Sequence, residues 1–193
     1  MATSSSPVEQ PPTVAVLGSA SVEVTDVRWQ DARALGAALA ERGWIVLTGG
    51  YGGLMGAVAE GARAAGGHTV GLPMTAWEHL TPHAANAELR WSADYAERIA
   101  HLLAADVAVA LPGGVGTLAE ASIIWAAAQT EDDAARLVLV GDSWRNLIDL
   151  LGRTFVIAPD DLTIPVLADE VSDIVDAVER ALVAPRKSSG ARG

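Results

Sequence analysis

Short apolar runs alternate along the chain with longer stretches in which apolar residues return every three or four positions. The first run, TVAVLGSA (13–20), reads as a strand that enters a Gly/Ser turn. In 27–42, Val27, Ala34, Leu35, Ala38 and Leu39 keep a helical period, and Gly43 supplies a C-terminal cap. WIVLTGG (44–50) is a second strand, GGLMGAVAEGARAAGG (52–67) a helix bounded by glycines, and HTVGLP (68–73) a third strand. Residues 74–92 are irregular and rich in Trp, His and Pro. A helix at 94–105, a strand at 106–114 and a helix at 117–129 follow. RLVLVGD (136–142) is the next strand, and SWRNLIDLLGRT (143–154) a helix with Ser143 as its N-cap. A short strand near 162–167 and an amphipathic helix at 169–183 end the pattern.

Strands that are apolar on both faces, each followed by a helix, predict a parallel sheet covered on both sides. The expected fold is α/β: an open, doubly wound, Rossmann-like parallel sheet in three α/β/α layers. One nucleotide-binding domain spans 13–184, between tails at 1–12 and 185–193 whose Ser/Pro-rich or polar composition predicts disorder. Ligands of such sheets bind beyond the carboxyl ends of the strands. The glycine turns at 18–20, 49–53 and 112–116 all fall there.

Composition narrows the chemistry. The chain has 193 residues, half of them hydrophobic, a formal net charge of −11 and no cysteine. The charge and the lack of a basic patch argue against a nucleic-acid partner. No apolar run reaches the ~18 residues of a membrane span, and the N-terminus lacks the basic and apolar regions of a secretory signal. With no thiols to form disulfides or bind metal, a cytoplasmic location is expected. Lys187, in the polar tail, is the only lysine. That excludes a P-loop, since Gly116 is followed by Thr117, and it excludes a Schiff-base enzyme.

The turn Pro112-Gly113-Gly114-Val115-Gly116-Thr117 precedes a helix, whose first amides are unpaired and carry partial positive charge. It reads either as a phosphate cradle, with a hydroxyl from Thr117 at or near the N-cap, or as a tight turn for close strand–helix packing. Glu120 lies one turn further on, on the face of Thr117, among Ala119, Ala121, Ile123, Ile124 and Trp125. A carboxylate in so apolar a helix requires a partner or a ligand. The turn 49–56 lacks the spacing of the dinucleotide fingerprint and reads as a place of close backbone approach. Gly18 and Ser19 form a smaller third element.

TGGYGGLMGAVAEGA followed by LPGGVGTLAE resembles the LONELY GUY (LOG) family, whose signature PGGxGTxxE is matched at every fixed position by residues 112–120. GLMG at 53–56 also matches, and the resemblance covers roughly residues 13–155. It implies a homodimer and phosphoribohydrolase chemistry: a nucleoside 5′-monophosphate, such as AMP or a cytokinin ribotide, cleaved to free base and ribose 5-phosphate. On that resemblance Glu120 and Arg98 are the catalytic candidates. Gly113, Gly114, Val115, Gly116 and Thr117 hold the phosphate, and Gly18, Ser19, Gly50, Gly53 and Met55 line the substrate. No metal or cofactor is implied.

The sequence departs from the family around Arg98, where Tyr95-Ala96 replaces Met-His and no lysine follows the arginine. A nucleotide or molybdopterin carrier on the same scaffold is the alternative function. Two smaller questions stay open. Arg98 is a site residue or the partner of Asp94 four residues earlier. Trp77 and Trp91 stack on a base or pack at the surface. His79 and His83 flank a helix-breaking Pro82 and lack a third acidic ligand apart from Glu78, so no metal pair is expected there. SIIWAAAQ (122–129) is apolar on more sides than a sheet contact covers, which points either to a second copy of the chain as partner or to burial within the monomer under the preceding helix.

Overall fold

The computed structural model describes residues 10–131 and 134–184. Seven parallel strands form one sheet: β1 (Thr13–Leu17), β2 (Ile45–Thr48), β3 (Thr69–Gly71), β4 (Glu88–Leu89), β5 (Val107–Ala110), β6 (Arg136–Val140) and β7 (Val166–Ala168). Their order is β4-β3-β2-β1-β5-β6-β7, so the chain winds outward from β1 in one direction, returns, and winds from β5 in the other. This is the expected doubly wound, Rossmann-like sheet. The helices are α1 (Val27–Glu41), α2 (Gly53–Ala64), α3 (Tyr95–Leu103), α4 (Val115–Thr130), α5 (Asp142–Thr154), α6 (Pro159–Leu162) and α7 (Val171–Val183).

Each face of the sheet carries its own apolar layer. On one side Leu35 and Leu39 of α1, Leu54 and Val58 of α2, and Ile174 and Val178 of α7 cover Val14, Val16, Val46, Val107 and Val109. On the other, Leu102 of α3, Ile124 of α4 and Trp144 of α5 cover Ala15, Leu17, Leu47, Val70 and Leu137. Burial on both faces is why the strands read as continuous apolar runs. The axes of α1 and α2 come unusually close: a methyl on Gly36 would overlap the Val58 carbonyl, and one on Gly61 the Arg33 carbonyl.

Several local expectations change. In α1, Val27 and Ala34 are exposed, and Trp29, Ala32 and Gly36 are buried with Leu35 and Leu39, because contact with α2 through Gly36 sets which face turns inward. Helix α4 begins at Val115, two residues earlier than predicted. Helix α5 is capped by Gly141 at φ 90° and not by Ser143, which lies inside the first turn. Glycine reaches that angle without strain, so the chain leaves β6 straight into the helix. The segment 74–92 contains a 3-10 turn (Thr75–Trp77) and β4. The predicted tails lie outside the described residues except for 10–12, where the Pro12 carbonyl accepts from the Ile45 N–H at 2.8 Å. Among the described residues no helix is long and apolar enough to cross a membrane.

Candidate functional site

The winding direction reverses between β1 and β5, the switch point at which such sheets bind ligands in a crevice, and the loops after these two strands meet there. They are tied at its base, where the Leu111 N–H donates to Leu17 at 2.9 Å and the Ser19 N–H to Pro112 at 3.2 Å. Gly18 is wedged in this floor, its Cβ position 3.2 Å from Leu54 and 3.3 Å from Leu111. The Ser19 hydroxyl accepts from the Ser21 N–H at 3.1 Å. Gly53, at φ 64°, lets α2 start against Ser19, whose carbonyl accepts from the Leu54 N–H at 2.8 Å.

Helix α4 rises from the crevice with Gly114 as an extended N-cap and no side-chain cap. Its first intrahelical bond runs from the Leu118 N–H to Gly114 at 3.0 Å, so the amides of Val115, Gly116 and Thr117 precede the ladder. Space is open around Gly114 and Gly116, where a Cβ would meet nothing within 4 Å. Thr117 is the third helical residue and not a cap. It is buried, and its side chain fills the place a Cβ on Gly113 would take, which fixes the turn.

One turn along, Glu120 is 6% exposed and faces Arg98 of α3, 3% exposed. Nε of Arg98 donates to Oε1 of Glu120 at 2.9 Å. Nη1 donates to the carbonyls of Gly49, at 3.2 Å, and of Leu72. The Arg98–Asp94 ion pair therefore does not form. Asp94 instead caps α3, accepting from the Glu97 N–H at 2.9 Å. Among the described residues no hydrogen bond engages Nη2 of Arg98 or Oε2 of Glu120. Met55 and Nη2 of Arg98 close over Gly49, 2.5 and 2.6 Å from its Cβ position, so a larger residue there would displace these side chains. The backbone groups of Gly50 are committed to the protein: its N–H to Thr48 and its carbonyl to the His83 N–H and the Asn86 side chain.

With this geometry in view, the sequence matches one family across residues 11–132. The chain belongs to the SLOG cluster4 family. A curated relative from Mycobacterium tuberculosis, a cytokinin riboside 5′-monophosphate phosphoribohydrolase, is 34% identical over 152 residues, covering 74% of this chain and 81% of that protein. Among solved structures, the molybdenum cofactor carrier protein of Chlamydomonas reinhardtii aligns with a TM-score of 0.72 and 25% identity, covering 91% of this chain and 100% of its own. The molybdenum cofactor binding protein of Rippkaea orientalis aligns with a TM-score of 0.73 at 21% identity, covering 90% and 99%, and shares the fold.

This SLOG cluster4 site also has aromatic residues whose roles sequence reasoning did not assign. The Trp77 ring lies over the Arg98 guanidinium, 5.7 Å from centroid to Cζ, and Tyr51 packs on Trp77 at 5.8 Å and 45°. Trp91 is not with them and is 48% exposed. Tyr95 begins α3, one turn before Arg98 on the same side. Burial, and then the charge of Glu120, push its phenol pKa above the ordinary 10.0, while Arg98 opposes the shift. The signal for Trp77 and Tyr95 was only their aromatic character near the motifs. His83 packs over Gly56 and lies 3.4 Å from Glu60.

Proposed function

We propose that this SLOG cluster4 protein is a LOG-like phosphoribohydrolase, cleaving the N-glycosidic bond of a nucleoside 5′-monophosphate to free base and ribose 5-phosphate. AMP and cytokinin ribotides are the substrate class, supported by the names of the curated relatives. The observation that carries the proposal is the buried Arg98–Glu120 pair, with one polar atom of each partner unengaged, one turn from an uncapped helix N-terminus.

The roles follow from charge. The 5′-phosphate binds the amides of Val115, Gly116 and Thr117 and draws on the helix dipole. That anchor sets the sugar beside Glu120, whose Oε2 accepts from ribose hydroxyls and faces the positive charge that builds on C1′ and the ring oxygen as the C–N bond breaks. The bonding electrons leave with the base nitrogen, which takes a proton, and water oxygen bonds to C1′. Arg98, held by Glu120 and two carbonyls, offers Nη2 to the phosphate or the departing base. Gly18, Ser19, Gly53 and Met55 shape the crevice floor, and Gly50 acts through the segment that its carbonyl holds.

The test is incubation of the pure protein with AMP and with cytokinin monophosphates, following ribose 5-phosphate. Release that disappears in Glu120→Ala supports the proposal, and absence of release from every substrate overturns it. Tight binding of a phosphorylated ligand without turnover would establish the second reading, a carrier, which the 25% identity to the Chlamydomonas carrier favours. We further propose a homodimer through the outer face of α4, where Val115, Leu118 and Ile123 are 85%, 41% and 38% exposed. Sedimentation of the wild type as a dimer and of Leu118→Asp as a monomer is the expected result.

A further inference from the structure

Three hydrogen bonds hold Arg98, two to backbone carbonyls and one to Glu120. Its Cζ also lies over the ring of Trp77, 5.7 Å from the centroid. An indole face attracts a cation and is the strongest aromatic partner for one.

The indole is itself firmly placed. Trp77 ends the 3-10 turn, its N–H donating to Met74 at 3.0 Å. Met74 gives its own N–H to the Tyr51 hydroxyl at 2.9 Å, and the Tyr51 ring packs on Trp77. The next residue, Thr75, donates its N–H to Ser92 at 3.0 Å, and Ser92 donates back to Pro73 at 2.9 Å. The base of the turn is thus tied to the glycine turn after β2 through Tyr51 and to the segment leading into α3 through Ser92. These two elements also frame Arg98.

We propose that Trp77, buttressed by Tyr51, is the positioning residue that sets the plane of Arg98 against Glu120. It rests on the site proposed above but not on turnover. Trp77 acts through Arg98 and does not need to touch the reacting atoms. Its indole also leaves Nη2 as the part of the guanidinium free for a ligand.

The experiment uses the full chain with 15N-labelled arginine. The Arg98 Nε–H resonance, assigned by its loss in Arg98→Lys, carries a ring-current shift from Trp77 and exchanges slowly with solvent. Trp77→Phe keeps an aromatic face and retains slow exchange. Trp77→Leu fills the space without a π system, abolishes the ring-current shift and speeds Nε–H exchange by roughly tenfold or more, as expected for loss of a desolvated cation–π contact. Far-UV circular dichroism and thermal melting confirm that both variants are folded. If AMP is turned over, Trp77→Leu lowers kcat roughly tenfold with KM within about twofold, because orientation and not binding is lost. Unchanged Nε–H exchange in folded Trp77→Leu overturns the proposal, whatever the shift does. Wild-type protein without turnover but with the predicted exchange pattern overturns the hydrolase reading and leaves the role of Trp77 standing.

Discussion

Removing one partner of the Arg98–Glu120 pair should be far more harmful than removing both. Their side chains are 4% and 8% exposed, so either charge left alone is stranded away from water. In Glu120→Ala the guanidinium keeps the carbonyls of Gly49 and Leu72 but loses its counter-charge. Arg98→Ala leaves a carboxylate with no partner. Breaking a buried pair in this way costs about 3–5 kcal/mol, whereas replacing it with apolar groups of similar volume is roughly neutral. A domain of this kind has about 5–15 kcal/mol in total, so each single variant loses a large part of it. With a urea slope of about 2 kcal/mol/M, the single variants should unfold with midpoints lowered by roughly 1.5–2.5 M. Arg98→Met/Glu120→Leu should unfold near the wild type, while ligand turnover is lost in all three. The assay is urea denaturation followed by far-UV circular dichroism, analysed as a double-mutant cycle. Single variants that cost less than about 1 kcal/mol, or a double variant destabilised by the sum of both, would refute the buried pair as the determinant of this site.

Three other perturbations have defined outcomes. Gly36→Ala and Gly61→Ala place a methyl on a backbone carbonyl of the facing helix, and each should lower stability by about 3 kcal/mol or more in thermal or urea melts. Gly116→Ala has open space around it and should fold as well as the wild type, yet bind AMP more weakly in calorimetry, because its methyl takes up room beside the amides proposed to hold the phosphate. Absorbance titration at 295 nm should find Tyr95 ionising above the ordinary 10.0; Glu120→Gln removes a negative charge and should bring it downward, with the part due to burial remaining.

Legibility from sequence followed how local each interaction is. Glu120 stood out because a single carboxylate in an apolar helix has to be compensated, and the structure supplies Arg98. Arg98 itself came only from family resemblance, since nothing in its helix predicts that it bypasses Asp94 for a residue 22 positions away. The larger strands and helices were readable because burial on both faces imposes apolar runs. The 3-10 turn and β4 were not, being two or three residues long and held by bonds from Tyr51, Thr69 and Gly71 that no periodicity records. The cap at Gly141 was missed because Ser143 is a common cap type, whereas here backbone conformation at the glycine does that work. Thr117 was placed at or near the N-cap as the hydroxyl that ends the glycine turn, and its burial against Gly113 depends on the turn closing in three dimensions.

The sheet tapers to two residues at β4 and three at β7, its two margins. So short a border gives an incoming extended segment few amides and carbonyls to zip onto, which guards against runaway aggregation in a chain whose interior strands are so rich in valine and alanine. Lengthening either margin by a few β-branched residues would remove that guard while leaving the crevice untouched.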